Sequence, residues 1–270
     1  MIDNTDILCL CYDMDGIKLR RTKLRKEIDG ISGNRDRLDH LKDYYQGKTA
    51  VIVATGPGFQ DHTDVIRDNM NENTILICIK QSLKTFDHLA DFHIMNRDNY
   101  EPYDYQDPVP IILTTNYPER KEYQRGDIHF YGPNIPGVAH RAVNNWDSID
   151  NDVDTLTFND ANNGPGENMV INSGHILIET AIPLCVHLGV KNIIINGWVG
   201  GYDHGIDIDN ATRKPSTKNF DFNNQNKIIR ISEKMEDYFD RHFGISISRI
   251  CDSRYRIPLI SHDEYIDIVS

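Results

Sequence analysis

The chain has 270 residues, with 29 basic and 41 acidic side chains and a formal net charge of −12. This length allows one large domain or two small ones. The shares of hydrophobic (39%) and charged (26%) residues are ordinary and argue against a disordered chain. The acidic balance disfavours nucleic acid as a partner, because neutralising phosphates requires a basic face.

The sequence also predicts a cytoplasmic protein. No apolar run approaches the roughly 18–20 residues that a membrane span needs. The N-terminal segment has no basic region ahead of a long apolar stretch, so no signal peptide is expected. The cysteines are odd in number and include no CxxC pair, which favours reduced thiols over a disulfide scaffold or structural zinc. They are Cys9, Cys11, Cys78, Cys185 and Cys251.

The first 47 residues are predicted to form a helical N-terminal extension. Apolar residues at near-helical spacing over 18–46 indicate two helices, with a break around Gly30–Gly33. The basic cluster from Lys18 to Lys26 is typical of a solvated helix face. Contact with phosphate or with an acidic lipid surface is the alternative, and any membrane contact is expected to be peripheral.

From residue 48 onward, strands and helices alternate. Ala50–Ala54 is a continuous apolar run that ends in a glycine-rich turn, as in a central parallel strand covered on both faces. A helix over Asp61–Asn69 and a strand over Thr74–Ile79 follow. Shorter strands are predicted at Phe92–Asn96 and Val109–Asn116. This alternation predicts an α/β fold with a doubly wound, mostly parallel, Rossmann-like sheet.

The second half begins with a segment of little regular pattern. Residues 117–170 are rich in proline, glycine and polar residues, and we expect a long inserted loop that acts as a lid or an oligomer contact. A helix over Ser173–Val190 is predicted to end at Gly189 and to kink or break at Pro183. The remaining elements are a strand at Asn192–Gly197, a helix at Ser232–Gly244 with Ser232 as its N-cap, and a strand at Ile245–Ile250. Residues 48–270 are therefore expected to form one Rossmann-like nucleotide-binding domain.

Ligands of a doubly wound sheet bind beyond the carboxyl ends of its strands, near the point where the strand order reverses. The turn after the first strand can present backbone N–H groups to a phosphate, although it matches neither GxGxxG nor a Walker A loop. Polar residues also follow the next two strands and open the helix at Asn172–Gly174. For each segment a plain turn, a satisfied loop side chain or a helix cap is the alternative. The nucleotide-binding candidates are Thr55, Gly56, Pro57, Gly58, Lys80, Gln81, Asn96, Asn172, Ser173 and Gly174.

The loop after the strand at Asn192–Gly197 holds the candidate catalytic residues. His204 is suited to act as a general base, because an unperturbed imidazole titrates near pH 6.5, and Tyr202 lies two positions before it. Carboxylates in the same loop are of the type that binds Mg²⁺, although acidic loops are common in a chain of this charge. These weak metal candidates are Asp203, Asp207 and Asp209. No GxSxG or HExxH motif supports a hydrolase.

Several segments, in their order along the chain, resemble two related families. They are LKDYYQGKTAVIVATGPGF, ILICIKQSL, FHIMNR and INSGHILIETAIPLCVHLGVKNIIINGW. Similar segments occur in bacterial lipooligosaccharide sialyltransferases, which bind a CMP-activated sugar on a Rossmann-like domain. They also occur in a broad family that includes archaeal 6-hydroxymethyl-dihydropterin pyrophosphokinases and flagellin-associated glycosyltransferases. The resemblance covers roughly residues 41–100 and 168–250.

The resemblance implies a role for the first half of the site. It places Thr55, Gly56 and Gly58 around the nucleotide phosphate or ribose. Lys80 and Asn96 stand where the sialyltransferases use asparagines for the nucleotide. The chain departs from that family here, since Thr55 and Lys80 both replace asparagine.

The resemblance also implies roles near the second half of the sheet. Asn172 and Ser173 stand where a Thr-Ser pair contacts the cytidine nucleotide, and Tyr202 matches a tyrosine that assists departure of the phosphate. The general-base histidine of the sialyltransferases would align near Lys227. His204 would therefore have to act as the base from the other side.

The expected function is a glycosyltransferase that moves a sugar from a nucleotide-sugar donor, a CMP-sugar in the first place, to a glycan or small-molecule acceptor. No cofactor is expected for this reaction. One alternative is an Mg²⁺-dependent diphosphotransferase of the hydroxymethylpterin pyrophosphokinase type. Another is a non-catalytic nucleotide- or sugar-phosphate-binding protein, which the missing histidine favours. A homo-oligomer is compatible with each.

Overall fold

The computed structural model describes residues 4–56, 58–95, 105–114, 127–129, 177–199, 229, 232–233 and 235–270. Its centre is a seven-stranded sheet in the order β5-β4-β3-β2-β1-β6-β7, and every neighbouring pair of strands is parallel. The predicted α/β, Rossmann-like sheet is thus confirmed. The strands are β1 (Thr49–Val53), β2 (Thr74–Ile79), β3 (Phe92–Met95), β4 (Ile111–Thr114), β5 (Ile128–His129), β6 (Asn192–Asn196) and β7 (Ser246–Arg249).

Helices cover both faces of this sheet. Short 3₁₀ turns at Phe59–His62 and Lys80–Ser82 lead into α3 and α4, and a π-helical turn at Leu177–Ala181 leads into α5. No helix in the described part of the chain is long and apolar enough to cross a membrane. The helices are α1 (Asn4–Asp29), α2 (Asn34–Leu41), α3 (Thr63–Asp68), α4 (Leu83–Phe86), α5 (Ile182–His187), α6 (235–243) and α7 (His262–Val269).

Strand β1 shows why the central strands are apolar throughout. All five of its residues are buried. Ala50 and Ile52 face the core formed with α1, α2, α5 and α6, whereas Val51 and Val53 face the core formed with α3, α4 and α7. Leu24 of α1 lies in the first of these cores. The two predicted N-terminal helices are present, with the break where it was expected. Most of their buried residues lie in the first core, whereas Ile17 of α1 lies in the second.

Arginines of the basic cluster fasten α1 to the sheet. Arg20 makes two hydrogen bonds to the buried Asp91 carboxylate, with Nε–Oδ1 at 3.1 Å and Nη2–Oδ2 at 2.9 Å. Arg25 likewise binds Asp127, and Arg21 donates to backbone carbonyls ahead of β3 and β4. These three arginines therefore have structural partners. The lysines of the cluster remain exposed, and they are Lys18, Lys23 and Lys26.

The structure also refines the helices predicted in the second half. The predicted kink or break at Pro183 takes another form, because the chain stays helical from Leu177 to His187 and changes from a π-helical turn to α5 just before Pro183, which lies in the first turn of α5. Gly189 (φ +74) ends the helix as expected. Its N–H and the N–H of Val190 donate to the carbonyls of Val186 and Cys185, a Schellman motif.

Two local predictions need correction. Ser232 is not an N-cap, since Ser232 itself and Ile229 before it are already helical, ahead of the run 235–243. The Ser232 hydroxyl instead accepts the Arg256 N–H at 2.7 Å and donates to the Ile229 carbonyl. The segment predicted as an irregular loop contributes β5, which pairs with β4. Helix α7 was not predicted, although Ser261 and Glu264 form a capping box at its start.

Candidate functional site

The strand order places one reversal point in the sheet, between β1 and β6. From β1 the chain adds β2, β3, β4 and β5 on one side, and it then returns to add β6 and β7 on the other. The register aligns Val53 with Asn196, so the loops that leave these two strands begin side by side at the carboxyl edge. A crevice at this place is where ligands of open α/β sheets bind.

Two glycines allow the backbones of these loops to approach closely. The Gly56 N–H donates to the Gly197 carbonyl at 2.8 Å. A Cβ on Gly56 would lie 2.2 Å from the Gly197 oxygen, and a Cβ on Gly197 would lie 2.1 Å from the Ala54 oxygen. Neither position tolerates a side chain without separation of the strands. The predicted turn is therefore built on a backbone contact with the end of β6.

The rest of the turn is partly accessible. Thr55 and Gly56 are half-buried, and Gly58 is exposed with a left-handed φ of +77°. Immediately after Gly58, the Phe59 carbonyl accepts a hydrogen bond from the Asn196 Nδ2 at 2.9 Å. The end of β6 thus holds the residue that follows the turn, and Gly58 of the turn itself is exposed to solvent.

Asn196 is a site residue that the sequence analysis did not identify. Its side chain is fully buried at the end of β6, and its Oδ1 has no hydrogen-bond partner among the described residues. A buried amide oxygen without a partner costs about 1–3 kcal/mol. The signal in the sequence was a polar residue directly after the apolar run Ile193–Ile195.

Lys80 and Gln81 follow β2, the strand next to β1, and both are half-buried. The structure therefore brings these two predicted residues to the same edge as the turn. Ser82 joins the two strand ends, because its hydroxyl lies 2.8 Å from the Val53 carbonyl and accepts the Ile79 N–H at 2.9 Å. Lys80 adopts a left-handed φ of +53°, which is unusual for a residue with a side chain.

His93 is a second residue that the sequence analysis did not identify. It is fully buried in β3, and its Nε2 lies 2.9 Å from the Lys80 carbonyl. Its Nδ1 lies 2.9 Å from the Tyr105 hydroxyl. Burial lowers the pKa of His93 to about 4, so the ring is neutral at neutral pH.

The segment after β7 supports the loop that leaves β6. Cys251 Sγ accepts the Gly197 N–H at 3.1 Å, and Trp198 stacks on Tyr255 with ring centroids 3.8 Å apart. The Arg254 N–H donates to the Val199 carbonyl at 2.9 Å. Burial raises the pKa of Cys251, so its thiol stays protonated and is unsuited to act as a nucleophile.

The remaining predicted site residues lie outside the described part of the chain, so the structure does not place them. They are Pro57, Asn96, Asn172, Ser173, Gly174, Tyr202, Asp203, His204, Asp207 and Asp209. Within the residues that are described, no group of three or more histidine, cysteine, aspartate or glutamate side chains could hold a metal ion. Mg²⁺ binding by the acidic loop stays a prediction.

Comparison with known proteins does not assign the chain to a family. No protein-family model matches the chain, and no curated protein shows a significant match to it.

Proposed function

We propose that the protein binds a nucleotide at the crevice between β1 and β6 and transfers a sugar from a nucleotide-sugar, a CMP-sugar in the first place. The proposal is supported by the edge just described. A half-open glycine turn lies at the reversal point of the sheet, and a lysine follows the neighbouring strand. Backbone N–H groups and an ammonium group are suited to hold a phosphate.

In this proposal the described residues bind the donor. Thr55, Gly56 and Gly58 line the phosphate and ribose side, and Lys80 offsets negative charge on the departing nucleotide. Gln81 contributes an amide beside it. A protein with a net charge of −12 would otherwise repel an anionic donor, so this local cation matters for affinity.

The chemical step is assigned to the loop that follows Val199. Tyr202 stabilises the leaving phosphate, and His204 removes the proton from the acceptor hydroxyl, which belongs to a glycan or a small molecule. Asn96 and the Asn172–Gly174 segment complete the nucleotide contacts. The proposed setting is cytoplasmic, and neither a resident cofactor nor nucleic acid has a role in this scheme.

A thermal-shift screen tests the binding step. CMP, CDP, CTP, UDP and ATP are each added with and without Mg²⁺, and a ligand at a hundredfold excess over Kd adds about 2.7 kcal/mol of stability. We expect cytidine nucleotides to stabilise the protein without metal. An ATP response that requires Mg²⁺ would instead indicate the diphosphotransferase, and no response to any nucleotide would refute nucleotide binding.

Two variants then locate the site. Lys80→Ala should weaken CMP binding about tenfold, equivalent to 1.4 kcal/mol. Lys191→Ala is the matched control and should leave CMP binding unchanged. Lys191 is an exposed lysine just before β6, so it lies at the amino end of that strand, whereas the proposed site lies at the carboxyl ends. His204→Ala should retain CMP binding and lose transfer. Binding without transfer in the unmodified protein would identify a non-catalytic nucleotide-binding protein.

A further inference from the structure

Lys80 has a backbone conformation that its own side chain disfavours. Among the described residues, only Lys80 (φ +53) and Asp43 (φ +57) combine a side chain with a positive φ. The left-handed conformation is disfavoured for a residue with a Cβ, because the Cβ then lies too close to the following carbonyl oxygen. Such conformations persist where the surrounding structure imposes them, and they cluster at functional sites. The contacts on either side of Lys80 therefore show what imposes this conformation.

Two hydrogen bonds bracket this residue. On the N-terminal side, the Ile79 N–H donates to Ser82 Oγ at 2.9 Å. On the C-terminal side, the Lys80 carbonyl lies 2.9 Å from His93 Nε2. Strands β2 and β3 are paired in parallel, with Cys78 opposite His93, so the histidine reaches the Lys80 carbonyl from the neighbouring strand.

The partners of His93 also determine which ring nitrogen carries the proton. A carbonyl oxygen can only accept, so Nε2 must be the donor to Lys80. Nδ1 then has a lone pair, and it accepts the hydroxyl proton of Tyr105 at 2.9 Å. The neutral ring is thus used on both sides. The chain Tyr105–His93–Lys80 connects the segment before β4 with the end of β2.

The core alone gives no reason for a histidine at this position. The other residues of β3 are Phe92, Ile94 and Met95, and all four positions of the strand are buried. An apolar residue would serve packing better, since burying an imidazole forfeits hydration that only good hydrogen bonds replace. His93 therefore contributes through its hydrogen bonds, among them those to Lys80 and Tyr105.

We propose that His93 is a positioning residue that holds Lys80 in its left-handed conformation and thereby places the Lys80 ammonium group against the phosphate of a bound nucleotide. This inference rests on the proposed function, because it names what orients a group of that same site. The contact is with the phosphate and not with the base or ribose. CMP and cytidine, which differ by that phosphate, are therefore the discriminating probes.

A double-mutant cycle measured by titration calorimetry tests the proposal. His93→Leu should weaken CMP binding about tenfold, or 1.4 kcal/mol, and leave cytidine binding unchanged. In a Lys80→Ala background the same substitution should have no further effect. His93→Gln should restore much of the affinity, because its amide can donate to the same carbonyl. Equal losses in both backgrounds, or an equal loss for cytidine, would overturn the proposal.

His187→Leu is the matched control. His187 is also buried, and its Nε2 contacts a backbone carbonyl, that of Leu38, at 2.7 Å on the other side of the molecule. This variant loses a comparable buried bond and should bind CMP as the unmodified protein does. An equal loss of CMP affinity in His187→Leu would show that general destabilisation causes the effect.

A second measurement does not depend on nucleotide binding. Lys80→Gly removes the backbone strain, so His93→Leu should destabilise the Lys80→Gly protein less than the unmodified protein in urea unfolding. If this coupling is found but no nucleotide binds, the hold on the backbone stands and the proposed function fails. If nucleotides bind but both cycles are additive, the positioning role of His93 fails alone.

Discussion

Replacing Gly197 with alanine tests the close backbone contact on which the crevice is built. The new Cβ would lie 2.1 Å from the Ala54 oxygen and 2.8 Å from the Phe59 Cβ. The strands must separate to relieve this overlap, and such overpacking costs about 1–3 kcal/mol. The left-handed φ of +75° adds roughly 1 kcal/mol for a residue with a Cβ. We therefore expect a loss of about 2–4 kcal/mol in the free energy of unfolding.

Gly47→Ala separates the two contributions. Gly47 has nearly the same φ, +78°, but a Cβ there would meet nothing within 4 Å. Urea unfolding with linear extrapolation should give a loss of roughly 1 kcal/mol for this variant, which comes from the backbone conformation alone. Gly197→Ala should also reduce the affinity for CMP. Equal stability losses in the two variants would refute the close approach of the two loops.

Three further predictions concern the body of the protein. Asp91→Ala should lower the free energy of unfolding by about 3–5 kcal/mol, because it leaves the Arg20 charge unpaired in a nearly buried position. A loss below about 1 kcal/mol in urea unfolding would contradict this prediction. His62 Nδ1 lies 2.9 Å from His262 Nε2. Burial, and after it the charge of His262, lower the pKa of His62 below 6.5. The contribution of His62 to stability is therefore fully present above pH 6.5 and is lost as the pH falls through this lowered pKa. In an NMR titration, His262→Ala should raise the pKa of His62, and an unchanged or lower pKa would exclude the interaction. Gly16→Ala within α1 should stabilise the protein by roughly 0.5–1 kcal/mol in urea unfolding, because alanine loses less conformational entropy in a helix than glycine. The new Cβ meets nothing within 4 Å, so no overlap offsets this gain. Destabilisation would show that α1 is not a regular helix at this position.

The strands of the central sheet were predictable from the sequence because of their double burial. The predicted run Thr74–Ile79 is β2 residue for residue, and Ala50–Ala54 differs from β1 by one residue at each end. A strand covered on both faces must be apolar at every position, which leaves a continuous pattern in the sequence. Gly189 was recognisable for a similar local reason, since only glycine adopts the left-handed helix end without strain.

The predictions failed where a local pattern is compatible with more than one structure, or where the element is too short to give a clear pattern. Ser232 precedes a helical pattern and suggested an N-cap, but in the fold its hydroxyl bonds the Arg256 N–H from a segment beyond β7. The capping box at Ser261 and Glu264 was visible in the sequence, yet the helix it starts has only eight residues and was not predicted. A short helix gains most of its stability from packing, here through the buried Tyr265 and Val269.

The sequence by itself determined the class of the fold, most of its buried strands and the glycine-rich turn at the end of β1. The tertiary structure alone decided that β6 returns beside β1, so that Gly197 meets Gly56, and that His93 reaches the Lys80 carbonyl from the next strand. Local patterns depend on residues a few positions apart, and they fix periodicity, caps and turns. Contacts between distant segments depend on strand order and register, which are set by the packing of the whole chain.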